Sequence, residues 1–230
     1  MQTDCLGVNT DPYQPIERRY HITRDILLVL QEFNHPCTIT TKSALVERDL
    51  DLISAMADKN LIHVNLSFTT LDPTLSRYLE PRVSSPKRRL QTIVTLKQAN
   101  IPVDIILAPV IPVLTDPEME TILQAVSESG ADSANYILLR LPLELVDLFA
   151  EWLHHHYPDK ARHVLQQIQQ TRQGKYNDSS FEHRASGKGV MAEIIHQRFN
   201  LASKKANLSQ PLPALNSDLF QPHPVKIDLF

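Results

Sequence analysis

The residues best suited to bind a ligand or to take part in a reaction lie at or just after the ends of short apolar runs that are typical of strands. Thr10 and Asp11 follow the first run, Lys42 follows the second, and Ser67 lies near the end of the third. The carboxyl ends of parallel strands share one edge of a sheet, so these side chains would lie close together. They would suit a small zwitterion, with Lys42 on its carboxylate and Asp11 on its amine. The alternative is that the charged residues are loop side chains that face water.

Other polar residues have competing interpretations. Asp72 also follows the third run, but Pro73 comes next, and this pair is typical of a helix start with Asp as its cap. Lys42 could instead be the Schiff-base amine of a barrel lyase, which would require a desolvated lysine with a lowered pKa. A basic cluster is either a solvated helical face or a contact for phosphate. Its members are Arg82, Lys87, Arg88 and Arg89.

Composition limits the class of protein. The chain has 230 residues, of which 42% are hydrophobic, enough for one or two domains with a sizeable core. A net charge of −3 excludes a strongly basic nucleic-acid binder. No apolar run is long enough to span a bilayer and the start is not a signal peptide, so we expect a cytoplasmic protein. Cys5 and Cys37 are expected to be buried small hydrophobes, neither a disulfide nor a metal pair.

The order of predicted elements indicates an α/β fold. Five strands, centred near positions 6, 39, 65, 106 and 137, alternate with helices. This alternation predicts a parallel sheet, in either a partial barrel or a doubly wound arrangement. In the first long helix an apolar stripe lies along one face, formed by Ile22, Ile26, Leu30 and Phe33.

The last third of the chain is predicted to contain helices and a proline-rich segment but no strand. Residues 143–155, 160–171 and 189–205 are predicted to form three helices. The segment from residue 208 is rich in proline and has no core to join, so we expect it to be disordered.

Several segments, in order along the chain, resemble the radical SAM proteins related to spore photoproduct lyase, which are also described as DNA-repair photolyase-like. They are NTDPYQPIE (9–17), TKSALVERDLDL (41–52), LSFTTLD (66–72), LEPRVSSPKRRL (79–90), APVIPVLTD (108–116) and the C-terminal residues 176–199. The resemblance implies a partial (β/α)6 TIM-like barrel over residues 1–142. A C-terminal helical extension over 143–207 and a flexible proline-rich tail over 208–230 would follow.

The same resemblance implies two cofactors, S-adenosylmethionine and a [4Fe–4S] cluster. In this family the reduced cluster splits S-adenosylmethionine into methionine and a 5′-deoxyadenosyl radical, which removes a hydrogen atom from a substrate. By position, Lys42 and either Thr10 or Asp11 would hold the amino-acid end of S-adenosylmethionine. Ser67 would lie near its ribose.

One departure from the family pattern concerns the cluster. The family holds it on a CxxxCxxC loop after the first strand, and these 230 residues contain only Cys5 and Cys37. We therefore expect the first β/loop unit to be missing, the cluster not to bind this chain alone, and no radical to form on it. A sheet edge would also be left open, which favours instability or association.

The C-terminal residues suggest an alternative function. Ile227, Leu229 and Phe230 lie in a terminal KIDLF sequence that is similar to the peptide motif that binds the bacterial sliding clamp. Lys226 stands where that motif has glutamine. The chain would then be a cluster-free interaction protein, tethered to DNA or to a DNA-associated partner such as the clamp. The other interpretation is a tail that folds back onto the core.

Overall fold

The computed structural model describes residues 3–177 and 183–221. Five strands form one parallel sheet, and they lie in the sheet in the order in which they occur in the chain. The strands are β1 (Asp4–Leu6), β2 (Cys37–Thr41), β3 (Ile62–Phe68), β4 (Val103–Val110) and β5 (Ser133–Leu138). This arrangement confirms the predicted fold class, in which successive βα units build part of a barrel.

Helices connect the strands and extend the chain beyond β5. They are α1 (Glu17–Tyr20), α2 (Ile22–Glu32), α3 (Leu50–Ala57), α4 (Pro73–Leu79), α5 (Pro86–Gln98), α6 (Met119–Glu128), α7 (Leu145–His156), α8 (Pro158–Gln170) and α9 (Val190–Lys205). The predicted start of α4 is confirmed, because the carboxylate of Asp72 accepts a hydrogen bond from the Thr74 amide at 2.7 Å. No helix among the described residues is long and apolar enough to cross a membrane.

The two faces of the sheet differ in chemistry. One face carries the apolar side chains that build the main core with the helices, including Ile39, Val64, Leu66, Ile105 and Leu138. Since side chains alternate along a strand, the residues between them lie on the opposite face. That second face is mostly polar, and its residues include Thr40, His63, Asn65, Ser67, Asp104, Ser133 and Asn135.

The apolar stripe predicted on α2 is not its buried face. Leu30 is buried as expected, but Ile22 and Ile26 are 58% and 39% exposed. The helix instead packs against the core through Thr23, Leu27 and Leu30, of which Leu27 is fully buried. Hydrophobic residues therefore occupy two sides of α2, and sequence alone does not show which side contacts the sheet.

The segment after β5 is tied to the rest of the molecule. Ile195 and Phe199 of α9 belong to the main core, whereas Leu153 of α7 and Ile168 of α8 build a second core that reaches α4. Residues 208–221 contain no helix or strand, yet Leu208 is buried in the main core. The expectation that this segment has no core to join is wrong at that position.

The same segment crosses the amino-terminal ends of the strands. The Leu208 carbonyl accepts from the Ala134 amide at 3.1 Å, and the amide of Asn216 donates to the Asn60 carbonyl at 2.8 Å. Ile227, Leu229 and Phe230, proposed to bind a partner, lie outside the described residues. The described part of the tail therefore folds back onto the barrel.

Candidate functional site

The loop after β1 is fixed to the end of β2. The carboxylate of Asp11 accepts hydrogen bonds from the Thr41 hydroxyl at 2.7 Å and from the amides of Tyr13 and Lys42, both at 2.8 Å. Both of its oxygens are thus bound within the protein. Asp11 therefore holds the loop and the Lys42 backbone in place. The sequence predicted that Asp11 would bind the amine of a ligand, but these three hydrogen bonds leave its carboxylate fewer acceptor positions for that amine.

The ammonium of Lys42 forms an ion pair with Glu80, a residue that sequence reasoning did not assign to the site. Glu80 follows α4, its side chain is 9% exposed, and it also accepts a hydrogen bond from the Thr69 hydroxyl at 2.7 Å. Burial alone would raise the pKa of Glu80, but the charges of Lys42 and Arg89 outweigh it and lower the pKa. The carboxylate is therefore held in its ionised form between two cations.

Arg89 is the second cation at Glu80. Its guanidinium is fully buried, donates to Glu80 at 3.0 Å and to the Ser67 carbonyl at 2.6 Å, and lies 5.3 Å from the Phe68 ring centre. Arg89 therefore links the end of β3 to the Lys42 ion pair. For this member of the basic cluster, a solvated helical face is the wrong interpretation.

A sequence signal for Arg89 exists in retrospect. The residue precedes Ile93 and Leu96 by four and seven positions, and both are fully buried on α5. A charge on the buried stripe of a helix needs a partner, because an unpaired buried charge is very costly. The sequence could therefore have indicated a buried ion pair, although not that Glu80 was its acid.

The four predicted site residues lie at the carboxyl edge of the sheet but are not equivalent. Thr10 and Asp11 line a cavity of about 810 Å³, together with Ser43 and Arg82. Ser67 is buried, and its hydroxyl donates to the Ala108 carbonyl at 3.3 Å. The structure brings Asp11 to the Lys42 backbone, and joins Lys42 to the Ser67 backbone through Glu80 and Arg89.

This edge fits the carboxylate end of S-adenosylmethionine, which the resemblance implies. The Lys42 side chain is 28% exposed, and among the described residues Glu80 is the one acceptor bonded to its ammonium. An ammonium has three N–H donors, so donors remain for a ligand carboxylate. The neighbouring cavity lies in the size range of small-molecule sites.

The residues do not fit a [4Fe–4S] cluster. Cys5 is exposed, contrary to the expectation that it is buried, and Cys37 is buried as predicted. Burial raises the pKa of Cys37 to about 12, which disfavours the thiolate that iron requires. Within residues 3–177 and 183–221 no group of three His, Cys, Asp or Glu side chains could hold a metal ion.

Comparison with known sequences gives one family match and several relatives. The model of the Radical SAM superfamily matches residues 6–126. An uncharacterized protein of Mycobacterium bovis is 33% identical over 160 residues, which cover 69% of this chain and 47% of the relative. An uncharacterized protein of Methanocaldococcus jannaschii is 29% identical over 150 residues, 65% of this chain and 54% of the relative. The chain thus spans about half the length of these curated relatives.

Solved structures share the fold. Spore photoproduct lyase complexed with dinucleoside spore photoproduct matches with a TM-score of 0.57 and 16% identity, over 83% of this chain and 55% of that one. A mutant of spore photoproduct lyase with one tyrosine replaced by phenylalanine matches with a TM-score of 0.53 and 14% identity over the same shares. At these identities the likeness concerns the fold alone.

Proposed function

The chain belongs to the radical SAM superfamily, and from this we propose that it forms the S-adenosylmethionine-binding core of a photolyase-like radical SAM enzyme. The observation that carries the proposal is the ion pair of Lys42 with Glu80 at the carboxyl edge of the sheet. Lys42 would bind the ligand carboxylate, while Glu80 and Arg89 fix the direction of its ammonium. When bound, S-adenosylmethionine supplies the 5′-deoxyadenosyl group of this chemistry.

The remaining predicted residues would have supporting roles. Thr10 lines the cavity beside the Asp11 loop and would contact the amino-acid end of the cofactor. Asp11 would act mainly by holding that loop against β2. Ser67 would define the floor of the site near the ribose, since its hydroxyl and backbone are both fixed.

We also propose that these 230 residues do not generate the radical by themselves. The proposal rests on the poor fit of Cys5 and Cys37 to a cluster, because one is exposed and the other is buried with a raised pKa. Three thiolates close in space are required to hold a cluster of this kind and leave one iron for the cofactor.

The test uses the protein purified without oxygen from its own organism. Intact mass, iron and sulfide are measured first, and 5′-deoxyadenosine and methionine are then assayed after addition of dithionite and S-adenosylmethionine. The proposal expects a 26.2 kDa species to lack iron and to form neither product. Formation of 5′-deoxyadenosine and methionine by a 26.2 kDa species would overturn it. A heavier, iron-loaded species that never cleaves S-adenosylmethionine would overturn the assignment of the chain to a radical-forming enzyme.

A second candidate function is a cluster-free interaction protein, favoured by the same poor fit of the two cysteines to a cluster. Its binding element would be Ile227, Leu229 and Phe230, which would contact the sliding clamp of a DNA-associated complex. The measurement is surface plasmon resonance on immobilised clamp with the intact chain and with a Leu229→Ala/Phe230→Ala variant. Saturable binding that the variant loses would support this function, and equal signals from both proteins would exclude it.

A further inference from the structure

Within the described part of the chain, β1 is paired along one edge. It bonds to β2 alone, and the amide of Asp4 donates to the carbonyl of Pro36, just before β2, at 3.3 Å. Because successive amides of a strand point in opposite directions, the amide of Cys5 points to the free edge. An edge strand with unpaired backbone groups is a template on which another extended segment can add.

An apolar surface on α2 borders this free edge. Ile22, Ile26 and Val29 are all exposed, and their spacings of four and three residues place them on one side of the helix. Ile22 and Ile26 line a cavity of about 330 Å³ together with Leu6, the last residue of β1. This side of α2 therefore lies next to β1, and we call it the α2 apolar surface. A segment that covered it would remove aliphatic side chains from water, which is favourable.

The described end of the chain leads to the α2 apolar surface. After α9 the backbone bonds beside β5, then beside the turn before β3, and then at the end of α2, through Leu208, Asn216 and Gln221. This path crosses the sheet from its β5 side toward its β1 side. The last contact is the amide of Gln221, which donates to the Phe33 carbonyl at 3.0 Å, four residues beyond Val29.

The same end of the chain lies close to the start of β1. The rings of Phe220 and His35 are in contact, with centroids 5.1 Å apart. The Nδ1 atom of His35 in turn lies 3.7 Å from the carboxylate of Asp4, the first residue of β1. The chain after residue 221 therefore begins at the amino-terminal end of the free edge.

Residues 222–230 lie outside the described part of the chain, but their sequence has the pattern of a half-buried strand. Apolar and charged residues alternate in VKIDL (225–229). Nine extended residues reach about 30 Å, whereas the eleven residues of α2 span about 16 Å. The segment is thus long enough to run beside the whole of β1 and α2.

We propose that residues 225–229 add to the free edge of β1 as a sixth strand, with Val225, Ile227 and Leu229 on the α2 apolar surface. The added strand is parallel to β1, because the chain enters at the amino-terminal end of that edge. The occupant is the carboxyl terminus of the same chain, since its starting point, its length and its alternation all match this edge. The inference does not depend on S-adenosylmethionine binding.

The added strand would compete with any partner for the same side chains. Ile227, Leu229 and Phe230 are also the binding residues of the second candidate function. A sliding clamp would bind them only after they leave the α2 apolar surface, so its binding would expose the edge of β1.

Amide hydrogen exchange of the intact chain, followed by NMR, tests the added strand at the Cys5 amide. This amide should exchange slowly in the wild type, because a backbone carbonyl of the added strand accepts its hydrogen bond. In Ile227→Asp/Leu229→Asp it should exchange at least tenfold faster, because two carboxylates cannot cover the α2 apolar surface. Lys226→Ala/Asp228→Ala alters the opposite side of the segment and should keep the protection. Equal exchange of β3 in all three proteins would show that the fold is intact.

Cross-linking identifies which chain covers the α2 apolar surface. With the exposed Cys5 replaced by serine, a short bismaleimide should join Val29→Cys to Ile227→Cys within one chain at micromolar protein concentration. Leu201→Cys with Ile227→Cys is the control pair, because Leu201 is exposed on α9, which packs against β5 at the other edge of the sheet. That pair should give no intramolecular product above background.

Rapid exchange of the Cys5 amide in the wild type, or equal exchange in the wild type and Ile227→Asp/Leu229→Asp, would overturn the inference. Equal intramolecular yields from the two cysteine pairs would do the same. A cross-link between two chains would also overturn it, and would place a second copy of the chain on the α2 apolar surface.

Discussion

Lys42 and Glu80 form an ion pair that joins the end of β2 to the residue after α4. The same carboxylate accepts a hydrogen bond from Arg89, whose guanidinium is fully buried and also donates to the Ser67 carbonyl. Two strand ends are therefore connected through one acidic residue. Glu80 fixes the lysine that we assign to the cofactor, although its own contacts lie within the protein.

Glu80→Gln should destabilise the fold, because it leaves the buried Arg89 without a counter-charge. We expect the free energy of unfolding in urea to fall by about 3 kcal/mol. Glu120→Gln is the matched control, since Glu120 pairs with Arg198 at the surface with a side chain 48% exposed. That change should cost less than about 1 kcal/mol. Equal losses in the two variants would show that Glu80 does not hold a buried charge.

Asp104→Asn should stabilise the protein at neutral pH. The pKa of Asp104 is raised by burial, so the folded state binds this proton more tightly than the unfolded state. Stability therefore falls as pH rises from the unfolded pKa through the folded one. The variant should gain at pH 7, and its advantage should vanish once the pH is below the ordinary value of 3.8. Urea unfolding across this range checks the claim, and a constant difference at every pH would contradict it.

Gly7→Ala should be strongly destabilising. Gly7 has a φ of 97°, and an added Cβ would lie 2.0 Å from the Thr40 carbonyl oxygen. The backbone that leads into the Asp11 loop must then move away from β2. Gly174→Ala is the control, since that glycine has a φ of 85° and nothing within 4 Å of an added Cβ.

In thermal unfolding, Gly174→Ala carries only the cost of its backbone conformation, of the order of 1 kcal/mol. Gly7→Ala should lose clearly more stability than that. Similar midpoints for the two variants would mean that the close approach to Thr40 is not rigid.

Neighbouring positions on α2 should respond differently to truncation. Leu27→Ala removes a fully buried side chain and should cost about 2–5 kcal/mol. Ile26→Ala alters a side chain that is 39% exposed and should cost less than about 1 kcal/mol. Chemical denaturation of both variants gives the comparison. A larger loss for Ile26 would mean that the sequence-predicted stripe, and not the observed face, is buried.

The sequence predicted the five strands and the start of α4, but not which side of α2 is buried. Alternation of apolar runs with helical periods indicated all five strands, and the Asp72-Pro73 pair indicated the start of α4. Both signals are local, since they depend on strand periodicity and on capping. The buried side of α2 was not predictable, because Ile22 and Ile26 are as apolar as Leu27 and Leu30.

The sequence predicted where Lys42 and Ser67 lie in the sheet, but not which side chains they contact. Positions at or just after the strand ends led to Ser67 and Lys42, whereas Glu80 and Arg89 were missed because tertiary contacts decide which acid pairs with which base. The polar second face of the sheet was visible in the sequence as Asn65 and Asp104 inside apolar runs. Without the strand register, nothing indicated that they lie side by side.

The most direct measurement is equilibrium dialysis of radiolabelled S-adenosylmethionine against the 230-residue chain, with Lys42→Met and Lys59→Met as the variants. Lys59 is an exposed lysine in the turn before β3, at the opposite edge of the sheet. We predict saturable one-to-one binding by the wild type and by Lys59→Met, and at least tenfold weaker binding, of the order of 1.4 kcal/mol, by Lys42→Met. No saturable binding, or equal affinity in Lys42→Met, would contradict the assignment of this edge as the S-adenosylmethionine site.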